Sequence, residues 1–360
     1  MKTKKVAAPL AIMAAAALGL SACAPANEAG TSNGNGLSGT LTGKGASSMK
    51  AAQDAWRAAF QQQNGGVTVN YSPDGSGAGR ESFIAGAVQF AGSDRALKDD
   101  EMGAGKFAKC TSDSNALNLP VYISPIAIVY NVQGVDNLKL DADTAAGIFA
   151  GKITKWNDPK IAALNAGVNL PNANITAVHR SDDSGTTDNF TDYLHQASPS
   201  VWTNANSGTW PAGIKGEAAK GTSGVIDAVK TGTNTIGYAD ESAARELSVA
   251  ELKVGSEFLK PSAEAAAKIV DASKQVAGRS EHDLAIKLDR KAAGAYPAVL
   301  VSYAIVCEKY KEAADASLVK AYIGYIGSDA GQQAAAKEAG SAPLSSDMSA
   351  KVKAAVDSIQ

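Results

Sequence analysis

Three times in this 360-residue chain a strand-like run passes directly into a helix-like one through a turn of small or polar residues. The sharpest case is Arg180-Ser-Asp-Asp-Ser-Gly-Thr186, between a strand-like 175–180 and a helix-like 186–196. The second is Gly43-Lys-Gly-Ala-Ser-Ser48, followed by Met49, Ala52, Trp56 and Phe60 at helical spacing. The third is Asp74-Gly-Ser-Gly-Ala-Gly-Arg80, between a strand-like 67–71 and a helix-like 81–88. The same alternation continues along the chain. Strand-like runs fall at 119–130, 235–239 and 296–306, and helix-like runs at 144–151, 159–165, 224–230, 262–275, 312–326 and 349–359. Alternating strands and helices predict an α/β fold. Without an internal repeat, and at a length beyond what one core usually supports, they predict two lobes.

A strand–turn–helix junction gathers open backbone N–H groups and the positive end of a helix dipole, and Arg180 adds a planar fork of donors. That chemistry suits an anion. It also suits an ordinary N-cap, for which Asp, Ser and Thr are the preferred residues. On segment 180–186 alone the two readings stand level. The glycine-rich turns favour the anion, because a missing Cβ lets a ligand approach the backbone. A further short strand, Phe90-Ala-Gly-Ser-Asp94, ends in a carboxylate.

These segments resemble the ligand loops of the phosphate-binding proteins that serve high-affinity phosphate ABC importers. Gly151-Lys-Ile-Thr-Lys-Trp-Asn-Asp158, Thr235-Ile-Gly-Tyr238 and Ala342-Pro-Leu344 support the resemblance, which covers the chain from about Leu37 onwards in the family's order. It implies a two-lobed periplasmic-binding-protein fold of type II, with hinged lobes and the ligand in the cleft. Lobe 1 would hold 37–124 and 250–360, and lobe 2 would hold 125–249. The resemblance also implies a phosphate site of Ser47, Ser48, Ser76, Asp94, Arg180, Ser184, Gly185 and Thr186. Hydroxyl and amide donors come from Ser47, Ser76, Ser184 and Thr186, and backbone donors from Ser48 and Gly185. An aromatic residue often stands in the family where Ser48 stands here; a backbone contact survives that change. Arg80 reads as structural, and Asp182 and Asp183 as capping or Arg-orienting groups. The implied partners are inorganic phosphate and the permease and ATPase complex of the importer, with no cofactor.

Asp94 carries the choice of anion. A carboxylate facing an anion is repulsive unless the anion has a proton to donate, which phosphate has at neutral pH and sulfate lacks. A receptor for sulfate or molybdate is therefore the weaker alternative. A phosphoester or serine hydrolase built on Ser184 is weaker still: the chain has no Gly-x-Ser-x-Gly elbow, and His179 stands in no evident triad order.

Lys2, Lys4 and Lys5 precede a short apolar stretch, 6–20, and Leu20-Ser-Ala-Cys23 resembles a bacterial lipoprotein processing site. On that reading 1–22 is a signal peptide, Cys23 carries a lipid, and 23–36 is a flexible polar tether. The protein would sit at the cell membrane on its extracytoplasmic face. The whole chain has 34 basic and 36 acidic residues, and the leader removes only lysines, so the mature protein is mildly acidic and unsuited to nucleic acid. A small anion responds to converging dipoles rather than to net charge.

Two cysteines remain, Cys110 and Cys307, each beside an apolar strand-like run. In two-lobed binding proteins the equivalent runs lie close together, so a Cys110–Cys307 disulfide is preferred over two buried thiols. Three scattered histidines and no cysteine pair at ligand spacing give a zinc site no support.

Overall fold

A computed structural model describes residues 36–360; the leader, Cys23 and the tether up to residue 35 lie outside the described residues. Eight strands follow one another across a curled sheet: β1 (Gly39–Gly45), β2 (Val67–Ser72), β3 (Phe90–Ser93), β4 (Ala116–Asn131), β5 (Thr176–Arg180), β6 (Glu217–Ala219), β7 (Thr235–Asp240) and β8 (Val299–Cys307). Their spatial order is β2-β1-β3-β8-β4-β7-β5-β6, and Ser248–Val249 pairs with β4 off this path. β1, β2 and β3 are parallel, as are β5, β6 and β7, while β8 and β4 run antiparallel to their neighbours.

β4 joins the two lobes. Its residues up to Pro125 pair with β8, and from Ile126 onwards they pair with β7. The strand is buried at every position but its last, and β8 at every position, which explains their near-continuous apolar sequences. β2 instead alternates buried and exposed residues, so only one of its faces meets the core. Glu251–Val254 and Glu257–Leu259 form a hairpin that pairs with Lys139–Leu140. This pairing places Glu251–Leu259 beside Lys139–Leu140.

Four helices frame the cleft: α1 (Lys50–Gln63), α2 (Ser76–Ile84), α3 (Gly185–Ala197) and α4 (Gly221–Thr231). α1 buries Ala52, Trp56 and Phe60 at helical spacing. Trp56 Nε1 donates to the Gly331 carbonyl at 2.7 Å, and its ring meets Tyr122 of β4 edge-on. Beneath α3, Phe190 stacks on Tyr238 at 4.2 Å, with Phe149 edge-on to both. Such aromatics bury large areas with little rotamer freedom, and they seat the helix whose N-terminus faces the cleft.

Cys110 and Cys307 form a disulfide with Cα atoms 5.4 Å apart across a sequence separation of 197. A loop of that length contributes about 5 kcal/mol in the chain-entropy model. Two segments differ from the sequence reading. The helix expected over 262–275 ends at Ala272, because Lys274–Gln275 pairs with Ile286–Lys287. The helix expected over 224–230 starts earlier, at Gly221.

Candidate anion-binding site

The three glycine- and serine-containing turns and the end of β3 meet where the lobes face each other. α2 begins at Ser76 and α3 at Gly185, and the N-cap of α3 is Ser184, whose Oγ accepts from the Thr187 amide at 3.2 Å. A Cβ on Gly185 would lie 2.6 Å from both Asp94 Cβ and Ser76 Oγ, so only glycine allows this approach between lobes. Gly75, at φ +106, brings the start of α2 close to Arg180 and Asp182.

Asp94 is buried, with 2 % of its surface exposed. Its Oδ1 accepts from Ser48 Oγ at 2.6 Å and from Ser302 Oγ at 2.8 Å, and its Oδ2 accepts from Thr186 Oγ1 at 2.9 Å. The Asp94 amide donates to Ser76 Oγ, and its carbonyl accepts from Asn189 Nδ2 at 2.6 Å. Burial pushes the Asp94 carboxyl above its ordinary range, while the three hydroxyls and the Arg180 charge work against that rise.

Arg180 is buried at the end of β5 and donates through Nε and Nη2 to the two carboxylate oxygens of Asp182. Asp182 also accepts from the Gly221 amide at 3.1 Å. Burial alone would raise the Asp182 carboxyl, but the bonds and charge of Arg180, with the Gly221 N–H, hold it below the ordinary range. Asp182 thus fixes the guanidinium on one side and leaves Nη1 free among the described residues. The backbone N–H groups of Ser47, Ser48, Ser76, Gly185 and Thr186 also take no hydrogen-bond partner among the described residues. The hydroxyl protons of Ser76 and Ser184 remain available, since both oxygens act as acceptors in the bonds above.

Two hydroxyls expected at the ligand have protein partners. Thr186 has a single hydroxyl proton and directs it to Asp94, which leaves its amide as the donor for a ligand. Ser47 Oγ reaches across to α4, accepting from the Thr222 amide at 3.1 Å and lying 3.0 Å from Thr222 Oγ1. Ser302, Thr222 and Gly221 are not among the expected site residues. Ser302 had a signal, as a hydroxyl inside the apolar run Val299-Leu-Val-Ser-Tyr-Ala-Ile-Val306; the α4 residues had none, being far in sequence from every loop they touch.

Further contacts hold the lobes together. Gly77 N–H donates to the Asp183 carbonyl at 3.0 Å, and Arg80 Nη2 to the Asp183 carboxylate at 3.0 Å. The remaining Arg80 donors reach Glu101 and Ser93, so its fork is committed to protein partners. Arg290 ties Asn189 and Asp192 of α3 to the backbone at Pro297. A cavity of about 590 Å³ lies beside Ser47, Ser48, Lys220 and Thr222, and one of about 410 Å³ lies on the Asp94 and Asn189 side.

Ser184 Oγ is engaged as a cap. His179 stacks on Trp210 at 4.8 Å, with Nδ1 against the Arg180 carbonyl, and makes no hydrogen bond to Ser184 among the described residues. Among the described residues no three His, Cys, Asp or Glu side chains gather at metal-binding spacing.

The fold and cleft are those of a two-lobed binding protein, and residues 30–330 match the model of the PBP superfamily domain. The phosphate-binding protein PstS 3 of Mycobacterium leprae is 38% identical over 339 residues, covering 90% of each chain. PstS2 of Mycobacterium bovis BCG is 35% identical over 376 residues, covering all of both chains. A phosphate-binding protein from Stenotrophomonas maltophilia shares the fold at a TM-score of 0.67 and 20% identity, over 88% of this chain and 94% of that one. The chain belongs to the PstS phosphate-binding proteins of the PBP superfamily.

Proposed function

We propose that this protein binds inorganic phosphate between its lobes, outside the cytoplasm, and delivers it to the permease of an ABC importer. One observation carries the reading: a buried carboxylate, Asp94, stands among open donors that otherwise fit any oxyanion. An acceptor in that position favours an anion that owns a proton. Sulfate would set its lone pairs against an ionised carboxylate, at a cost of about 1–3 kcal/mol or more.

Arg180, held by Asp182, supplies the positive charge. The amides of Ser47, Ser48, Ser76, Gly185 and Thr186, with the hydroxyls of Ser76 and Ser184, supply neutral donors. Ser48 and Thr186 orient Asp94 through their hydroxyls. Donors from both lobes would hold the cleft shut around the ligand, turning occupancy into a closed shape that a permease and its ATPase can sense. Lobe 1 would comprise 37–124 and the chain after the Glu257–Leu259 strand, and lobe 2 the segment between. Lipid on Cys23 would anchor the protein at the membrane. The protein acts as a binding protein rather than as an enzyme.

Calorimetric titration with phosphate, and with phosphate in the presence of excess sulfate, tests this reading. Tight phosphate binding unaffected by sulfate is expected. Equal affinity for both anions would contradict it.

A further inference from the structure

We propose that Ser302 is a positioning residue that sets how Asp94 meets the ligand; the proposal rests on the phosphate reading above. A carboxylate has about four acceptor positions. Ser48 and Ser302 occupy both positions on Oδ1, and Thr186 occupies one on Oδ2. A single acceptor position is left, on Oδ2, for a single ligand proton. Without Ser302 a second position opens on Oδ1, on the β8 side, and the carboxylate loses a donor that favours its ionised form.

The strand geometry is built for this contact. The register of β8 against β4 shifts between Ser302 and Tyr303, where Ser302 pairs with Tyr122 and Tyr303 with Pro120. Such an irregularity re-aims a side chain locally. Tyr303 also pairs with Ser93, next to Asp94, so β8 presents the Ser302 hydroxyl beside the end of β3. Ser302 is fully buried in an otherwise apolar strand run, where a hydroxyl without a partner is costly. Arg180 from β5, Tyr71 from β2 and Asp240 from β7 interact with the charge of Asp94, and Arg95, Asp188 of α3 and Arg290 line the cavity beside it. None of them contributes a hydrogen bond to its carboxylate, so the hydroxyl set governs its orientation.

Phosphate titrations of wild type, Ser302→Ala and Ser302→Thr across pH test the proposal, each repeated in an Asp94→Asn background. Ser302→Ala should weaken phosphate binding about tenfold, the loss of one hydrogen bond to a charged group. The acid-side loss of binding should move to higher pH, because the ionised carboxylate has lost a donor. Ser302→Thr should restore both properties. In the Asp94→Asn background the same Ser302→Ala change should cost much less, since no charge remains to be held. If Ser302→Ala does not fold, Ser302→Cys, similar in size and a weak donor, carries the same expectations. Equal losses with Asp94 intact and in the Asp94→Asn background, with an unmoved pH profile, would mean that Ser302 only fills space. Failure of the wild type to bind phosphate would overturn the functional reading itself, a result distinct from that one.

Discussion

Gly185→Ala separates ligand grip from fold stability. The added Cβ would lie 2.6 Å from Asp94 Cβ and Ser76 Oγ and 2.9 Å from the Asp94 amide nitrogen, where ordinary contact begins at 3.4 Å. The N-terminus of α3 must then retreat by somewhat under about 1 Å, a misplacement large enough to weaken every donor that converges on the ligand. Overpacking of this kind costs about 1–3 kcal/mol, or roughly five- to 150-fold in affinity. The ligand-free fold should not suffer in parallel. Gly185 is the first residue of α3, and alanine is the better helix former by up to about 1 kcal/mol. On the proposed hinged reading, opening of the cleft in the unliganded protein would relieve the clash as well. Calorimetry should therefore show weakened phosphate binding while the melting temperature without phosphate stays level or rises. Phosphate binding within about twofold of wild type would refute the close approach of the two lobes at this point.

Three other outcomes follow from the same structure. Replacing Cys110 and Cys307 with Ser should destabilise the protein by about 2–5 kcal/mol in thermal or urea unfolding, with the phosphate affinity of the folded protein retained. Burial pushes Asp240 up to about 7 from an ordinary 3.8, against the Ser242 and Ser124 hydroxyls and aided by the Asp94 charge. The fold thus keeps a proton that the unfolded chain releases, so stability falls as pH rises between these values; Asp240→Asn should flatten the profile and melt higher than wild type at about pH 8. Cys23→Ser should release the protein from membranes with phosphate binding unchanged, as cell fractionation after a salt wash would report.

What could be read from the sequence followed the range of each physical cause. The turns at Gly43–Ser48, Asp74–Arg80 and Arg180–Thr186 are local: glycine, hydroxyls and a following helical period stand within a few residues of one another. The strands over 67–71, 175–180 and 235–239 were legible for the same reason, and appear as Val67–Ser72, Thr176–Arg180 and Thr235–Asp240. Contacts made by distant segments were not. Ser302 reaches Asp94 across a separation of 208 residues, and Thr222 reaches Ser47 across 175. The start of α4, ahead of the expected 224, shows the same limit. Gly221-Thr-Ser-Gly224 has weak helical propensity, and its first-turn amides find acceptors in Asp182 and Ser47, which only the folded chain brings near. The hydroxyls of Ser48 and Thr186 were assigned to the ligand or left open because sequence shows which groups can donate, not which acceptor they face. The pairing of Glu251–Val254 with Lys139–Leu140 belongs with these.

The account rests on Asp94 as the group that tells phosphate from sulfate, and titration of Asp94→Asn with both anions tests it most directly. Asparagine keeps an acceptor oxygen, removes the negative charge and adds a donor. Phosphate affinity should change little while sulfate binding rises, shrinking the phosphate-to-sulfate ratio by at least about tenfold. A ratio unchanged from wild type, with the variant folded and phosphate still bound, would contradict the account.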